Sequence, residues 1–115
     1  MKRVITLCGS VRFEEWFRIV NAELTLHGWV VLAPGFFNHE LLHGTGKRFD
    51  DAKQQLDRLH YRKIEMSQAI FVIDVYGHIG ESTGREIDFA RSEKKKVYFW
   101  TRGDLWNLQL TGRFA

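Results

Sequence analysis

Short apolar runs alternate along the chain with longer segments in which apolar residues recur at helical spacing. Runs of this kind predict buried strands. The predicted strands are residues 3–8, 29–32, 69–75 and 97–100. The segments between them predict helices over residues 13–26, about 50–66 and about 82–93. Residues 36–49 show no sustained period and predict a long loop.

This alternation also predicts how the elements assemble. Strands that alternate with helices imply right-handed β-α-β crossovers and a parallel sheet covered on both faces. The chain has 115 residues, 44% of them apolar, which is enough for one core. We therefore predict a single α/β domain over residues 1–115, with a ligand crevice beyond the carboxyl ends of the strands where strand order reverses.

The charge and cysteine content of the chain limit the classes of binding partner and the cellular compartment that can be expected. The net charge is +3, but basic residues are interleaved with acidic ones, and the one compact run, residues 94–96, lies where a helix should end. This favours a small anionic ligand over a nucleic-acid polymer. The single cysteine, Cys8, permits no internal disulfide, and the apolar start of the chain is too short for a signal peptide or a membrane span. The sequence thus predicts a cytoplasmic protein with no membrane partner.

The loop after the first strand contains the first candidate ligand contacts. Gly9 permits close backbone approach, Ser10 offers a hydroxyl, and free amides at the start of a helix attract an anion. Arg12 adds a charged fork for phosphate or carboxylate. The alternative is structural, with Ser10 as an N-cap and Arg12 as a solvated side chain.

The loop after the third strand, residues 77–86, contains the second set. It enters a helix, and Glu86 at its end is a candidate nucleophile or base. His78 lies in the same loop and is a further candidate contact. The competing explanation is a capping box with Thr83 as N-cap and Glu86 at the third helical position.

For the other polar residues the sequence gives weaker evidence of a role in ligand or metal binding. Asp74 ends its strand, from where it reaches either a ligand hydroxyl or the loop's own amides. His39 and His43 stand beside Glu40 in the long loop without a further ligand set, so we predict no metal and no cofactor. His60 is expected on the surface of its helix. The buried side of that helix is expected to consist of Leu56, Leu59, Ile64 and Met66.

Three segments together resemble the nucleoside 2-deoxyribosyltransferase-like superfamily. They are residues 7–13 (LCGSVRF), 59–64 (LHYRKI) and 80–87 (GESTGREI). The resemblance spans about residues 4–100 and is closest to a branch of small bacterial and phage proteins related to the 2'-deoxynucleoside 5'-monophosphate N-glycosidases.

This resemblance implies a three-layer flavodoxin-like or Rossmann-like fold with a parallel sheet of four or five strands. It also implies that the loop from Gly9 to Arg12 binds the phosphate or sugar side of the ligand, and that Ser82 lies near the same groups. Glu86 matches the family's nucleophile, which attacks the anomeric carbon and forms a glycosyl-enzyme intermediate, as in retaining glycosidases.

The chain departs from the family at the position of the catalytic acid. The N-glycosidases carry an aspartate on the helix before the third strand, where this chain has His60 or Tyr61. Asp57, one turn earlier, or Asp74 are the possible substitutes. The tyrosine that some relatives have near the first loop is also missing from this chain.

We therefore predict a nucleoside or nucleotide N-glycosidase or deoxyribosyltransferase-like enzyme, with Glu86 as the catalytic residue. The alternative is a nucleotide-binding or sensing module with the same pocket and no turnover. The chain's four tryptophans and apolar C-terminal tail also predict a homodimer or higher oligomer. The predicted substrate contacts are Gly9, Ser10, Arg12, Phe13, Asp74, Gly80, Ser82 and Thr83.

Overall fold

The computed structural model describes residues 3–35 and 46–106, which form four strands and three α-helices. The strands are β1 (Val4–Gly9), β2 (Val30–Leu32), β3 (Ala69–Ile73) and β4 (Lys96–Phe99). The helices are α1 (Glu14–Leu26), α2 (Lys47–Glu65) and α3 (Glu81–Ser92). Short 3-10 turns occupy Val11–Phe13, Val75–Gly77 and Asp104–Trp106. Within these residues no helix is both long and apolar enough to cross a bilayer.

The four strands form one parallel sheet in the order β2-β1-β3-β4. From β1 the chain moves outward to β2, crosses back through α2 to β3 on the other side of β1, and continues outward to β4. The direction of winding therefore reverses between β1 and β3, where Leu7 is paired with Phe71. This confirms the predicted single-domain α/β fold of flavodoxin-like or Rossmann-like type, with its crevice expected at that reversal.

Apolar residues cover both faces of the sheet, because successive side chains of a strand point to opposite sides. On one face Phe71 of β3 packs with α1 through Phe17 and Val20. On the other face the neighbouring Val72 packs with Ile64 of α2 and with α3. The helices therefore form an outer layer on each side of the sheet.

Gly9 ends β1 at a point where the backbone leaves no room for a side chain. Its φ is +152°, and a Cβ atom there would lie 3.0 Å from the carbonyl oxygen of Ile73. Such close approach between β1 and β3 needs glycine. It brings the loops after the two central strands together.

The orientation of α2 differs from the sequence expectation. The helix begins at Lys47, three residues earlier than predicted, and its buried positions are His60 and Ile64. Leu59 and Met66 are 46% and 69% exposed, so the prediction that they face the core is wrong. The prediction of His60 on the surface is wrong too, because α2 turns its His60 and Ile64 face onto the sheet.

Candidate functional site

A cleft with a volume of about 520 Å³ opens at the carboxyl ends of β1 and β3. Its walls come from the loop after β1, the end of β2, one face of α2 and the start of α3. This is the position at which parallel α/β sheets bind ligands, and the size is in the usual range for a small molecule. The polar residues that line it are Ser10, Lys53, Asp57, His60, Lys63, His78, Glu81, Ser82, Thr83 and Glu86.

Glu86 lies in this cleft and does not cap α3. The helix has Gly80 as its N-cap and starts at Glu81, so Glu86 stands in its second turn and Thr83 is inside the helix. The predicted capping box is therefore wrong. Glu86 is only 8% exposed, and its burial raises the pKa from an ordinary 4.5 to about 7, although hydrogen bonds from Cys8 and Ser82 oppose the rise.

Cys8, His60 and Glu86 form a compact cluster at the base of the cleft. The Cys8 Sγ atom lies 3.4 Å from His60 Nε2, and the same nitrogen lies 3.6 Å from Glu86 Oε1. Burial lowers the pKa of His60 to about 4, so its ring is neutral at pH 7. Burial likewise raises the pKa of the Cys8 thiol, with the Glu86 charge adding to the effect.

The α2 wall brings charged groups to the same cleft. Lys53 Nζ lies 3.4 Å from Asp57 Oδ2, an exposed i,i+4 pair. Lys63 Nζ donates a hydrogen bond of 2.6 Å to the carbonyl oxygen of Ala33, which fixes α2 against the end of β2. The negative charge of Asp57 contributes to the raised pKa of Glu86.

Six of the nine predicted site residues line the cleft together: Gly9, Ser10, Gly80, Ser82, Thr83 and Glu86. Ser10 lines the cleft and is also an N-cap, since its Oγ accepts a hydrogen bond of 3.4 Å from the amide of Arg12.

Arg12 and Phe13 are not part of the cleft lining. The Arg12 guanidinium lies 5.2 Å from the centre of the Phe13 ring and is exposed. Phe13 is buried in the core on the α1 side, with its ring edge-to-face against Trp16 and against His78. Its contact with the cleft is therefore indirect, through the position of His78.

Asp74 is also away from the cleft lining. Its two carboxylate oxygens accept hydrogen bonds from the amide and the hydroxyl of Thr101, at 3.0 Å and 2.5 Å. These bonds tie the end of β3 to the segment after β4. Asp74 thus holds two strand ends together.

The cleft residues that the sequence did not indicate lie mainly on α2. Lys53, Asp57, His60 and Lys63 recur at spacings of three and four, which places them on one helix face. A helix face with this many charged residues is normally predicted to be exposed to solvent. The one sign of burial in the sequence was Ile64, an apolar residue that lies on the same face one turn after His60. Of the two residues for which the sequence resemblance would expect an aspartate, His60 lines the cleft, whereas Tyr61 packs edge-to-face on Phe89.

The chain matches no protein-family model, no curated protein and no solved structure in comparisons with all three. The chemistry of the cleft is therefore the basis for a functional assignment. His39, His43 and Glu40, which the sequence analysis considered as metal ligands, lie outside the described residues.

Proposed function

We propose that this protein is an N-glycosyl hydrolase or transferase that acts on nucleosides or nucleotides, with Glu86 as its nucleophile. The observation that carries the proposal is the position of Glu86: a buried carboxyl group at the base of a cleft where winding of the sheet reverses, without a capping role. Burial of a carboxylate beside a reaction centre is typical of catalytic acids and nucleophiles.

The reaction follows from the chemistry of a retaining glycosidase. An oxygen of ionised Glu86 attacks the anomeric carbon, the bond from that carbon to the base nitrogen breaks, and its electron pair stays on the base. A proton from an acid neutralises the departing base. Water, or the nitrogen of a second base, then attacks the glycosyl ester and regenerates the Glu86 carboxylate.

Asp57 is the candidate for the acid. Of the two substitutes that the sequence offered, it lines the cleft, whereas Asp74 is bonded to Thr101. The Oδ2 atom of Asp57 lies 3.4 Å from Lys53 Nζ, one turn earlier on α2, and this pair helps to hold the carboxyl group in place. In the second step this carboxylate accepts the proton of the attacking water.

The rest of the cleft supports a polar, anionic substrate. Lys53 and Lys63 place positive charge along the α2 wall, while Ser10 from the loop after β1 and Ser82 from the first turn of α3 line the same cleft. The cavity volume of about 520 Å³ suits a nucleoside or nucleotide.

The test is base release from a panel of nucleosides and nucleoside 5'-monophosphates, monitored by chromatography. We expect Glu86→Gln to slow release by at least about 1,000-fold, as loss of a nucleophile does. Asp88→Asn is the matched control, because Asp88 is an exposed acidic residue of the same helix and is not part of the cleft lining. Intact-protein mass spectrometry of the wild type should detect the sugar ester, and Glu86→Gln should lack it.

The alternative is a nucleotide-binding or sensing module without turnover. It is favoured by the chain's departure from the family at the acid position, where His60 and Tyr61 stand. Thermal stabilisation by a nucleotide, with no base release from any substrate and no ester in the mass spectrum, would establish this alternative and refute the enzymatic proposal.

We further propose that the protein self-associates and works in the cytoplasm. Tyr76 is 87% exposed and Trp106 is 63% exposed, and with Trp16 they border a shallow hollow of about 440 Å³. Exposed aromatic residues grouped in this way are typical of an interface. Light scattering at micromolar concentration should give at least the mass of a dimer, and Tyr76→Ser with Trp106→Ser should shift it toward the monomer. A monomeric wild type would contradict this.

A further inference from the structure

We propose that Cys8, His60 and Glu86 form a binding site for a zinc ion at the base of the cleft. Each offers one ligand atom, and the three atoms lie within 4.8 Å of one another. They come from three separate elements, β1, α2 and α3, so the fold brings them together. The inference does not depend on the proposed glycosyl chemistry.

The separations between these atoms fit a tetrahedral ion. Zinc binds sulfur at about 2.3 Å and nitrogen or oxygen at about 2.0–2.2 Å, so neighbouring ligand atoms lie about 3.3–3.6 Å apart. The observed distances are 3.4 Å from Cys8 Sγ to His60 Nε2 and 3.6 Å from that nitrogen to Glu86 Oε1. One imidazole nitrogen therefore lies at ligand spacing from both other ligand atoms, and all three atoms lie within 4.8 Å of one another.

The donor atoms select the class of metal. A thiolate with an imidazole suits zinc and related transition metals, whereas magnesium and calcium prefer oxygen donors alone. The imidazole is already neutral at pH 7, and binding releases the thiol proton of Cys8, together with any proton on Glu86, to solvent.

Three protein ligands leave the fourth tetrahedral position free. Because His60 and Glu86 line the cleft, that position faces the cleft, as in zinc sites that keep a water or a small ligand. An ion held there also occupies the Glu86 carboxylate. Zinc and a glycosyl substrate would therefore compete, and zinc binding would inhibit base release.

Cobalt(II) is the probe, added to protein that has been treated with a chelator. We expect one equivalent to produce the intense visible bands of a tetrahedral ion and a thiolate-to-cobalt charge-transfer band, both of them removed by zinc. Because the chain has one cysteine, that charge-transfer band can arise only from Cys8. This readout needs no enzymatic activity, so it remains valid if the proposed function fails.

Variants assign the other two ligands. His60→Gln and Glu86→Gln should each weaken cobalt binding by at least about tenfold, the loss caused even by removing a group that only supports a metal ligand. His78→Gln, which changes another imidazole of the cleft, is the matched control. A double variant, His39→Ala with His43→Ala, tests the remaining candidate ligands in the sequence. Both controls should bind cobalt as the wild type does.

Absence of the charge-transfer band in the wild type would overturn the proposal. So would undiminished binding by folded His60→Gln or Glu86→Gln, or loss of the bands in the His39 and His43 double variant. X-ray absorption of the zinc-loaded wild type covers the case in which a variant fails to fold. A four-coordinate set with one sulfur and one imidazole supports the site, and any set without sulfur refutes it.

Discussion

The Nε2 atom of His60 lies 3.6 Å from the Oε1 atom of Glu86, and both side chains are almost completely buried. Burial disfavours the charged form of each, so it moves their pKa values in opposite directions, to about 4 for the imidazole and about 7 for the carboxyl group. Between these values both groups are mainly neutral. The contact is then a polar one and not an ion pair.

The two groups should have opposite effects on stability as pH changes. Glu86 ionises more easily in the unfolded chain, so it lowers the free energy of unfolding as pH rises from 4.5 to about 7. His60 is protonated more easily in the unfolded chain, so it raises that free energy as pH rises from about 4 to 6.5. Each contribution amounts to about 3 kcal/mol, and in the wild type they largely cancel.

Single variants should separate these contributions in urea unfolding with chelator present. Relative to the wild type, Glu86→Gln should gain stability as pH rises from 4.5 to 7. His60→Gln should instead lose stability, relative to the wild type, between pH 4 and 6.5. Parallel pH profiles for both variants and the wild type would show that neither group has a shifted pKa.

The pH dependence of turnover provides a second test of Glu86. If the ionised carboxylate attacks the sugar, metal-free protein should release the base of an N7-methylated purine nucleoside, which needs no general acid, at a rate that rises about tenfold per pH unit below 7 and levels off above it. An ordinary carboxyl group would already give a constant rate from about pH 5.5 upward. A rate independent of pH between 5.5 and 7 would therefore contradict the assigned environment of Glu86.

Asp57 should act on the leaving base. We expect Asp57→Asn to slow release of an unmodified base by about 100-fold or more, the usual contribution of a general acid. The effect should be much smaller for an N7-methylated purine nucleoside, whose base leaves without being protonated. Asp51→Asn, an exposed aspartate of the same helix, is the control. Equal losses for both kinds of substrate would rule out the role of acid.

The sheet and the two loops at its edge could be predicted because each depends on a short local sequence pattern. An apolar run such as residues 69–75 and a glycine at the end of β1 have few structural alternatives. Glu86 was a candidate nucleophile from its position in the loop that leads into a helix, but the same local context also suggested a cap. Only the start of α3 at Glu81 excludes that cap, and helix boundaries are the least certain feature of a sequence pattern.

The α2 wall could not be predicted for a different reason. His60 looked exposed because neighbouring positions of α2 are polar, and its burial depends on the angle at which the helix packs on β1. That angle is fixed by contacts distant in sequence, such as the hydrogen bond of 2.6 Å between Thr6 and Ser67. The role of Asp74 could not be predicted for the same reason. Its partner Thr101 is distant in sequence and comes close only because β4 pairs with β3.

Asp74 should stabilise the fold and leave ligand binding unaffected. Asp74→Ala removes two hydrogen bonds to Thr101, and we expect it to lower the free energy of unfolding by about 1–3 kcal/mol. Thr101→Ala removes one of them. In a double-mutant cycle the two losses should be less than additive, because they share an interaction. Additive losses would contradict the interaction between Asp74 and Thr101. Weaker nucleotide binding by folded Asp74→Ala would instead show that Asp74 contributes to the ligand site.

Two glycines near the cleft should respond to alanine in opposite ways. At Gly9 the new Cβ would lie 3.0 Å from the Ile73 carbonyl oxygen and 3.2 Å from its Cβ atom, between the two central strands. Since the β1 and β3 backbones would have to separate, we expect Gly9→Ala to lower the free energy of unfolding by about 1–3 kcal/mol. It should also weaken nucleotide binding, because Gly9 lines the cleft.

At Gly84 a Cβ atom meets nothing within 4 Å, and the residue lies inside α3. Alanine restricts the unfolded chain and favours a helix, so Gly84→Ala should raise the free energy of unfolding by up to about 1 kcal/mol. Urea unfolding of both variants beside the wild type measures the contrast. A neutral Gly9→Ala would mean that β1 and β3 can separate at that end, and the cleft built on their close approach would then be less rigid than the packing of Gly9 on Ile73 implies.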